Sequence, residues 1–135
     1  YVSISHCKSG CLIGWSKYPI GVDIEMKNRK LLAEKILNKY YSNEEKSLLL
    51  KYYSHKFNKK VLDYWLIKES SFKIRGGNFF SELSNLVVNQ KNNTVLNKKS
   101  NSTYKYFLIS LFDWRISVSF DMRINLIKPL ICYSN

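Results

Sequence analysis

Trp65-Leu66-Ile67-Lys68-Glu69-Ser70-Ser71-Phe72-Lys73 is the stretch on which the fold turns. Leu62, Trp65, Leu66, Glu69 and Lys73 lie on one helical stripe, which predicts a helix over residues 59–74 with Gly76-Gly77 as its stop. The stripe directs Leu62, Trp65 and Leu66 inward and carries Glu69 with them, where an unpaired carboxylate is costly. An i,i+4 pair with Lys73 explains the spacing but not the apolar neighbours; a shared cation explains both. Trp65, one turn before Glu69, reads as a packing residue, and Lys68 reads as a solvated charge.

Ahead of this helix come two more. Leu32, Ile36, Leu37 and Tyr40 recur at helical spacing from Arg29 onward, and Ser42-Asn43-Glu44-Glu45 is a capping box that opens a helix reaching about residue 53. Before them, β-type runs at residues 1–6, 11–17 and 20–25 are separated by the turn signals Ser9-Gly10 and Tyr18-Pro19, which predicts an antiparallel meander. Further β-like runs follow at residues 86–90, 94–96, 104–111 and 115–120, with a polar loop over 97–102. Strands, helices and strands again within 135 residues predict one α+β domain over residues 1–135, an antiparallel sheet packed against about three helices.

With 45% hydrophobic residues the chain has material for a core, which excludes native disorder. No apolar run approaches the roughly 18–20 residues of a membrane span, which excludes a helical membrane protein. The 22 Lys and Arg against 10 Asp and Glu leave +12, a balance that favours an anionic partner, although an AT-rich coding sequence yields the same excess of Lys, Asn, Ile and Tyr. Cys7, Cys11 and Cys132 are odd in number and share no ligand spacing with His6 and His55. Neither a disulfide framework nor a zinc site is indicated, and a cytoplasmic location is the expectation. His55, with no acidic or cysteine neighbour, reads as a surface residue.

In Ile20-Gly21-Val22-Asp23-Ile24-Glu25 the strand period of two places Val22 and Ile24 on one face and Asp23 and Glu25 on the other. Like charges that close need a counter-ion, which could be solvent, a lysine or a hard cation such as Mg²⁺. Glu69 on its apolar stripe is a natural third ligand to the same cation.

Four motifs then fall in order: Ser3-Ile4-Ser5-His6, Ile20-Gly21-Val22-Asp23-Ile24-Glu25, Tyr40-Tyr41-Ser42-Asn43-Glu44-Glu45 and the stretch from Trp65 to Lys73. In order and spacing the chain resembles the 4′-phosphopantetheinyl transferase superfamily. The likeness is closest to the second, C-terminal lobe of the two-lobed, surfactin-synthetase-activating type that primes peptide and polyketide synthetases. The resemblance implies Mg²⁺-dependent transfer of phosphopantetheine from coenzyme A to a serine of an acyl or peptidyl carrier protein. It assigns Asp23, Glu25 and Glu69 to the metal, with Glu69 also drawing the serine proton, and Lys73 to the phosphates and the leaving group. Ser5 and His6 match the position that meets the 3′-phosphate of coenzyme A. Carrier proteins of this pathway are acidic, which gives the +12 balance a use.

The resemblance covers one lobe, and Tyr1 opens in what reads as mid-strand, so the chain is expected to be a fragment of a longer one. A lone lobe would expose the face that its missing partner covers. Two other readings compete. A nucleic-acid-binding module would use the interleaved Lys, Tyr and Phe, although no motif of that class is present, and a catalytically dead remnant would bind carrier protein without acting on it.

Overall fold

The structure, a computed structural model, describes residues 1–52, 54–76 and 82–124, with 54 and 55 as backbone only. The expectations for Gly77 and Cys132 lie outside the described residues, as does that for the His55 side chain. In chain order the elements are β1 (Val2–Cys7), β2 (Gly10–Trp15), β3 (Ile20–Met26), α1 (Ala33–Tyr40), α2 (Asn43–Leu49), α3 (Ser54–Lys73), β4 (Leu86–Asn89), β5 (Thr94–Asn97), β6 (Ser102–Leu111) and β7 (Trp114–Asp121). A five-stranded antiparallel sheet runs β3-β7-β6-β5-β4, and β1 and β2 form a separate two-stranded ladder. This is the α+β arrangement expected from the pattern of elements.

The predicted meander is corrected at its third strand. β3 pairs with β7, from Ile20↔Phe120 to Met26↔Trp114, and not with β2. Its other edge is met by β1, where Ser3 Oγ accepts the Val22 N–H at 3.0 Å and Ser5 Oγ accepts the Ile24 N–H at 3.3 Å. Serine hydroxyls thus take the donors that a β2–β3 ladder would have used.

The alternation along β3 separates two cores. Val22 and Ile24 pack with Ile116 and Val118 beneath the β1–β2 hairpin, against Cys7, Leu12 and Trp114. On the helical side, Leu37, Leu49, Val61, Ile67, Leu86 and Val95 form the larger core. Trp65 belongs to it, edge-on to Tyr40 with ring centroids 5.5 Å apart, as a packing residue should be. The outer face of the hairpin is different: Val2, Ile4, Ile13 and Trp15 stand exposed, Trp15 at 75%.

Helix boundaries differ from those expected. α1 starts four residues later than Arg29, with Leu32 at its N-cap making no side-chain cap bond, while Arg29 is paired with Glu25. α2 ends at Leu49, where Lys51 and Tyr52 donate to carbonyls three residues back and tighten the turn; α3 begins at Ser54, five residues ahead of the predicted start. The capping box forms as predicted, with Ser42 Oγ accepting from Glu45 N–H and Glu45 Oε2 accepting from Ser42 N–H at 2.8 Å. Gly76, at φ +70°, adopts the left-handed conformation that ends α3, its N–H returning to Phe72 O.

Lys68 corrects a second expectation, for it is fully buried rather than solvated. Its ammonium donates to Tyr40 O at 2.9 Å, to Leu83 O and to Leu86 O, and pairs with Glu45 Oε2 at 2.9 Å above the Tyr41 ring. Glu45 Oε1 meanwhile accepts the Val88 N–H at 2.8 Å. A residue read only as an N-terminal cap therefore also ties α2 to α3 and to β4. Burial pulls the Lys68 pKa down, and the Glu45 charge opposes that pull.

Candidate active site

The sheet and α3 approach most closely beside the acidic residues. Gly21, Ser70, Ser71, Ser117 and Ser119 are all buried here, and small side chains let the backbones come together. Ser70 Oγ lies 2.8 Å from Ser117 Oγ and 2.7 Å from Ser119 Oγ, while Ser71 Oγ donates to Ser119 Oγ at 3.0 Å. These hydroxyls satisfy one another in a space where unpaired ones would be costly. Asp23 follows Gly21 by two residues on the same face of β3, and Glu69 precedes Ser70 on α3, so the seam brings the two acids together.

Asp23 is buried and accepts two donors on one oxygen. Lys73 Nζ donates to Oδ1 at 2.8 Å and also to Val22 O at 3.1 Å, and Ser5 Oγ donates to the same Oδ1 at 2.6 Å. Glu69 is half-buried and near enough to Asp23 for the two carboxyl groups to act on one another electrostatically. Burial, then the Asp23 charge, push the Glu69 pKa up to about 8, against the pull of Lys73 and Arg29. The carboxyl pair therefore holds a proton near neutrality, while Lys73 supplies the neighbouring positive charge.

Glu25 is oriented differently. Its Oε2 pairs with Arg29, four residues on, in the turn that leaves β3. Arg29 and Glu25 line a surface cavity of about 420 Å³ together with His6, Lys8 and Asn28. His6 stands exposed at the end of β1, opposite Cys11.

Of the residues singled out from sequence, Asp23, Glu69 and Lys73 meet directly. Ser5 joins them through Asp23, and Glu25 and His6 share a cavity that is not lined by Asp23, Glu69 or Lys73. Among the described residues no three His, Cys, Asp or Glu side chains stand close enough to hold a metal ion, and Glu25 is paired with Arg29. Sequence reading missed Arg29, the Ser5–Asp23 bond and the closeness required at Gly21. The first had a signal in its i+4 distance from Glu25; the second had one in the alternation of Ser3 and Ser5 along a strand.

The sequence profile of the 4′-phosphopantetheinyl transferase superfamily matches residues 19–119, a span from the start of β3 into β7 that contains Asp23, Glu25, Glu69 and Lys73 and leaves out Ser5 and His6. Comparison with curated proteins finds no match. With most of the chain matched, and with the acidic strand and the Lys68-Glu69 helix meeting in space, this protein belongs to the 4′-phosphopantetheinyl transferase superfamily.

Proposed function

We propose that the chain transfers 4′-phosphopantetheine from coenzyme A to a serine hydroxyl of an acyl or peptidyl carrier protein, the holo-acyl-carrier-protein synthase reaction, as the second lobe of a two-lobed enzyme. One observation carries the reading. Asp23 from β3 meets Glu69 and Lys73 from α3, and Arg29, whose charge reaches Glu69, lines a cavity with Lys8 and His6. The exposed apolar face of the hairpin supports the placement as one lobe of two.

The donor set suits Mg²⁺. Two neighbouring carboxyl groups, one of them disfavoured as an anion by burial and by the other, with Lys73 on Asp23 alone, are hard oxygen ligands. Asp23 and Glu69 would hold the ion, with Glu25 joining them on release from Arg29. Bound there, Mg²⁺ supplies charge neutralisation for the pyrophosphate of coenzyme A.

The chain's own residues do the rest. Ionised Glu69 accepts the serine proton as the serine oxygen bonds to phosphorus; the pyrophosphate P–O bond breaks, and its electron pair leaves with 3′,5′-adenosine bisphosphate. Lys73 stabilises the charge that develops on that leaving group. His6 meets the 3′-phosphate at the exposed end of β1, and the +12 surface draws in an acidic carrier.

Incubation with coenzyme A, Mg²⁺ and an apo-carrier protein should raise the carrier's mass by one phosphopantetheinyl group, read by intact mass spectrometry. An unmodified carrier, with this chain alone and within any longer natural chain, would exclude the reaction.

A second expectation concerns pH. The folded state holds the Glu69 proton up to about pH 8, above the value of an ordinary glutamate, so this contribution to stability is complete in acid and is lost as pH rises through about 8. Mg²⁺ requires the anion and displaces that proton. Thermal melts should therefore show a larger Mg²⁺-induced rise in Tm above pH 8 than near pH 6. An equal rise at both would remove Glu69 from the ligand set.

A further inference from the structure

We propose that Ser5 is a positioning residue: its hydroxyl fixes the orientation of Asp23, and so sets the affinity of the acidic site for a divalent cation, instead of binding a coenzyme A phosphate. The inference rests on the reading of Asp23 as a metal ligand. A serine hydroxyl has one proton and two lone pairs. The Ser5 oxygen accepts the Ile24 N–H at 3.3 Å, and its proton goes to Asp23 Oδ1 at 2.6 Å. A phosphate oxygen only accepts, so Ser5 could serve one only by abandoning Asp23. The residue is also buried, whereas the neighbouring His6 is exposed at the cavity.

The geometry around Asp23 gives this bond its consequence. Ser5 and Lys73 approach the same oxygen, Oδ1, from different elements, β1 and α3. Two donors on one oxygen fix the rotation of the carboxylate, and neither of them donates to the second oxygen. That arrangement keeps the second oxygen's lone pairs from either residue and presents it in a set direction. Hydrogen bonds that orient a ligating carboxylate typically change metal affinity or activity by about 10–100-fold when removed.

β1 contains its own control. Ser3, two residues earlier on the same face, accepts the Val22 N–H at 3.0 Å, the same kind of bond to the same strand edge without the carboxylate. Removing either hydroxyl frees one β3 N–H; only the Ser5 hydroxyl holds Asp23.

The test compares Ser3→Ala, Ser5→Ala and Ser5→Thr with the wild-type chain. Mn²⁺ serves as the probe, its binding followed by electron paramagnetic resonance, and turnover is measured with coenzyme A and with 3′-dephospho-coenzyme A. Ser5→Ala should weaken Mn²⁺ binding about tenfold or more, Ser3→Ala should change it less than about twofold, and Ser5→Thr should restore it. The ratio of KM values for the two cosubstrates should be the same in Ser5→Ala as in wild type. Equal Mn²⁺ affinity in the two alanine variants, or a KM ratio in Ser5→Ala that falls toward one, would overturn the positioning role and leave the acidic site standing. Failure of the wild-type chain itself to bind Mn²⁺ would overturn the site reading and this inference with it.

Discussion

Lys68→Ala should destabilise the protein by about 3–5 kcal/mol, the loss typical of removing one partner from a buried ion pair. The pair is enclosed, with side chains 0% and 1% exposed for Lys68 and Glu45. Without the ammonium, the carbonyls of Tyr40, Leu83 and Leu86 lose a donor at the point where the end of α1 and the start of β4 converge on α3, and Glu45 keeps a charge with no cation beside it. Against a total stability of roughly 5–15 kcal/mol for a domain, this is a large fraction. Urea unfolding should show a midpoint lowered by more than about 1 M, given a slope of about 1–3 kcal/mol/M. Glu45→Gln should cost less, because the amide oxygen can still accept from Ser42 or Val88 and Lys68 keeps its carbonyls. A Lys68→Ala midpoint equal to wild type would mean that the ammonium does not sit among those carbonyls.

Lys68 also shows where sequence reading reaches its limit. Helical spacing correctly placed Leu62, Trp65 and Leu66 in the interior, because an apolar stripe declares its own direction. A lysine between apolar residues declares nothing, since its burial depends on carbonyls and a carboxylate contributed by other parts of the chain. The capping box was legible because both of its partners lie within four residues, whereas the further bonds of Glu45 to Lys68 and Val88 were not. The same division runs through the strands. Their positions followed from local alternation, but the partner of β3 lies almost a hundred residues away in β7, and local pattern made the neighbouring β2 the obvious choice. In the site, strand period singled out Asp23 and helical period singled out Glu69, and the fold brings the two near each other. The turn after β3 has no period, so Arg29 and its hold on Glu25 went unseen.

Gly21→Ala should disable the protein more thoroughly than its single added methyl suggests. A Cβ at Gly21 would lie 1.8 Å from the Ser70 carbonyl oxygen, 2.9 Å from its carbon and 3.2 Å from Ile74 N. All three are backbone atoms of α3 or the turn that follows it, so no side-chain rotation relieves the overlap; the helix must retreat by more than about 1 Å to reach ordinary van der Waals separation. Overpacking alone costs about 1–3 kcal/mol, and retreat also breaks the bonds of Ser70 and Ser71 to Ser117 and Ser119, leaving buried hydroxyls unpaired. The same movement separates Glu69 from Asp23 and withdraws Lys73 from it, and a misplacement of about 1 Å in a catalytic constellation can lower turnover by 10²-fold. The expected result is a Tm lowered by several degrees and phosphopantetheine transfer reduced at least 10²-fold in whatever fraction folds. Gly10→Ala is the comparison, since its Cβ would meet the Trp114 side chain at 3.0 Å, and a side chain can give way where a helix backbone cannot. If Gly21→Ala melts and turns over like Gly10→Ala, then α3 is not seated on β3 at this distance, and the meeting of Asp23 with Glu69 loses its structural cause.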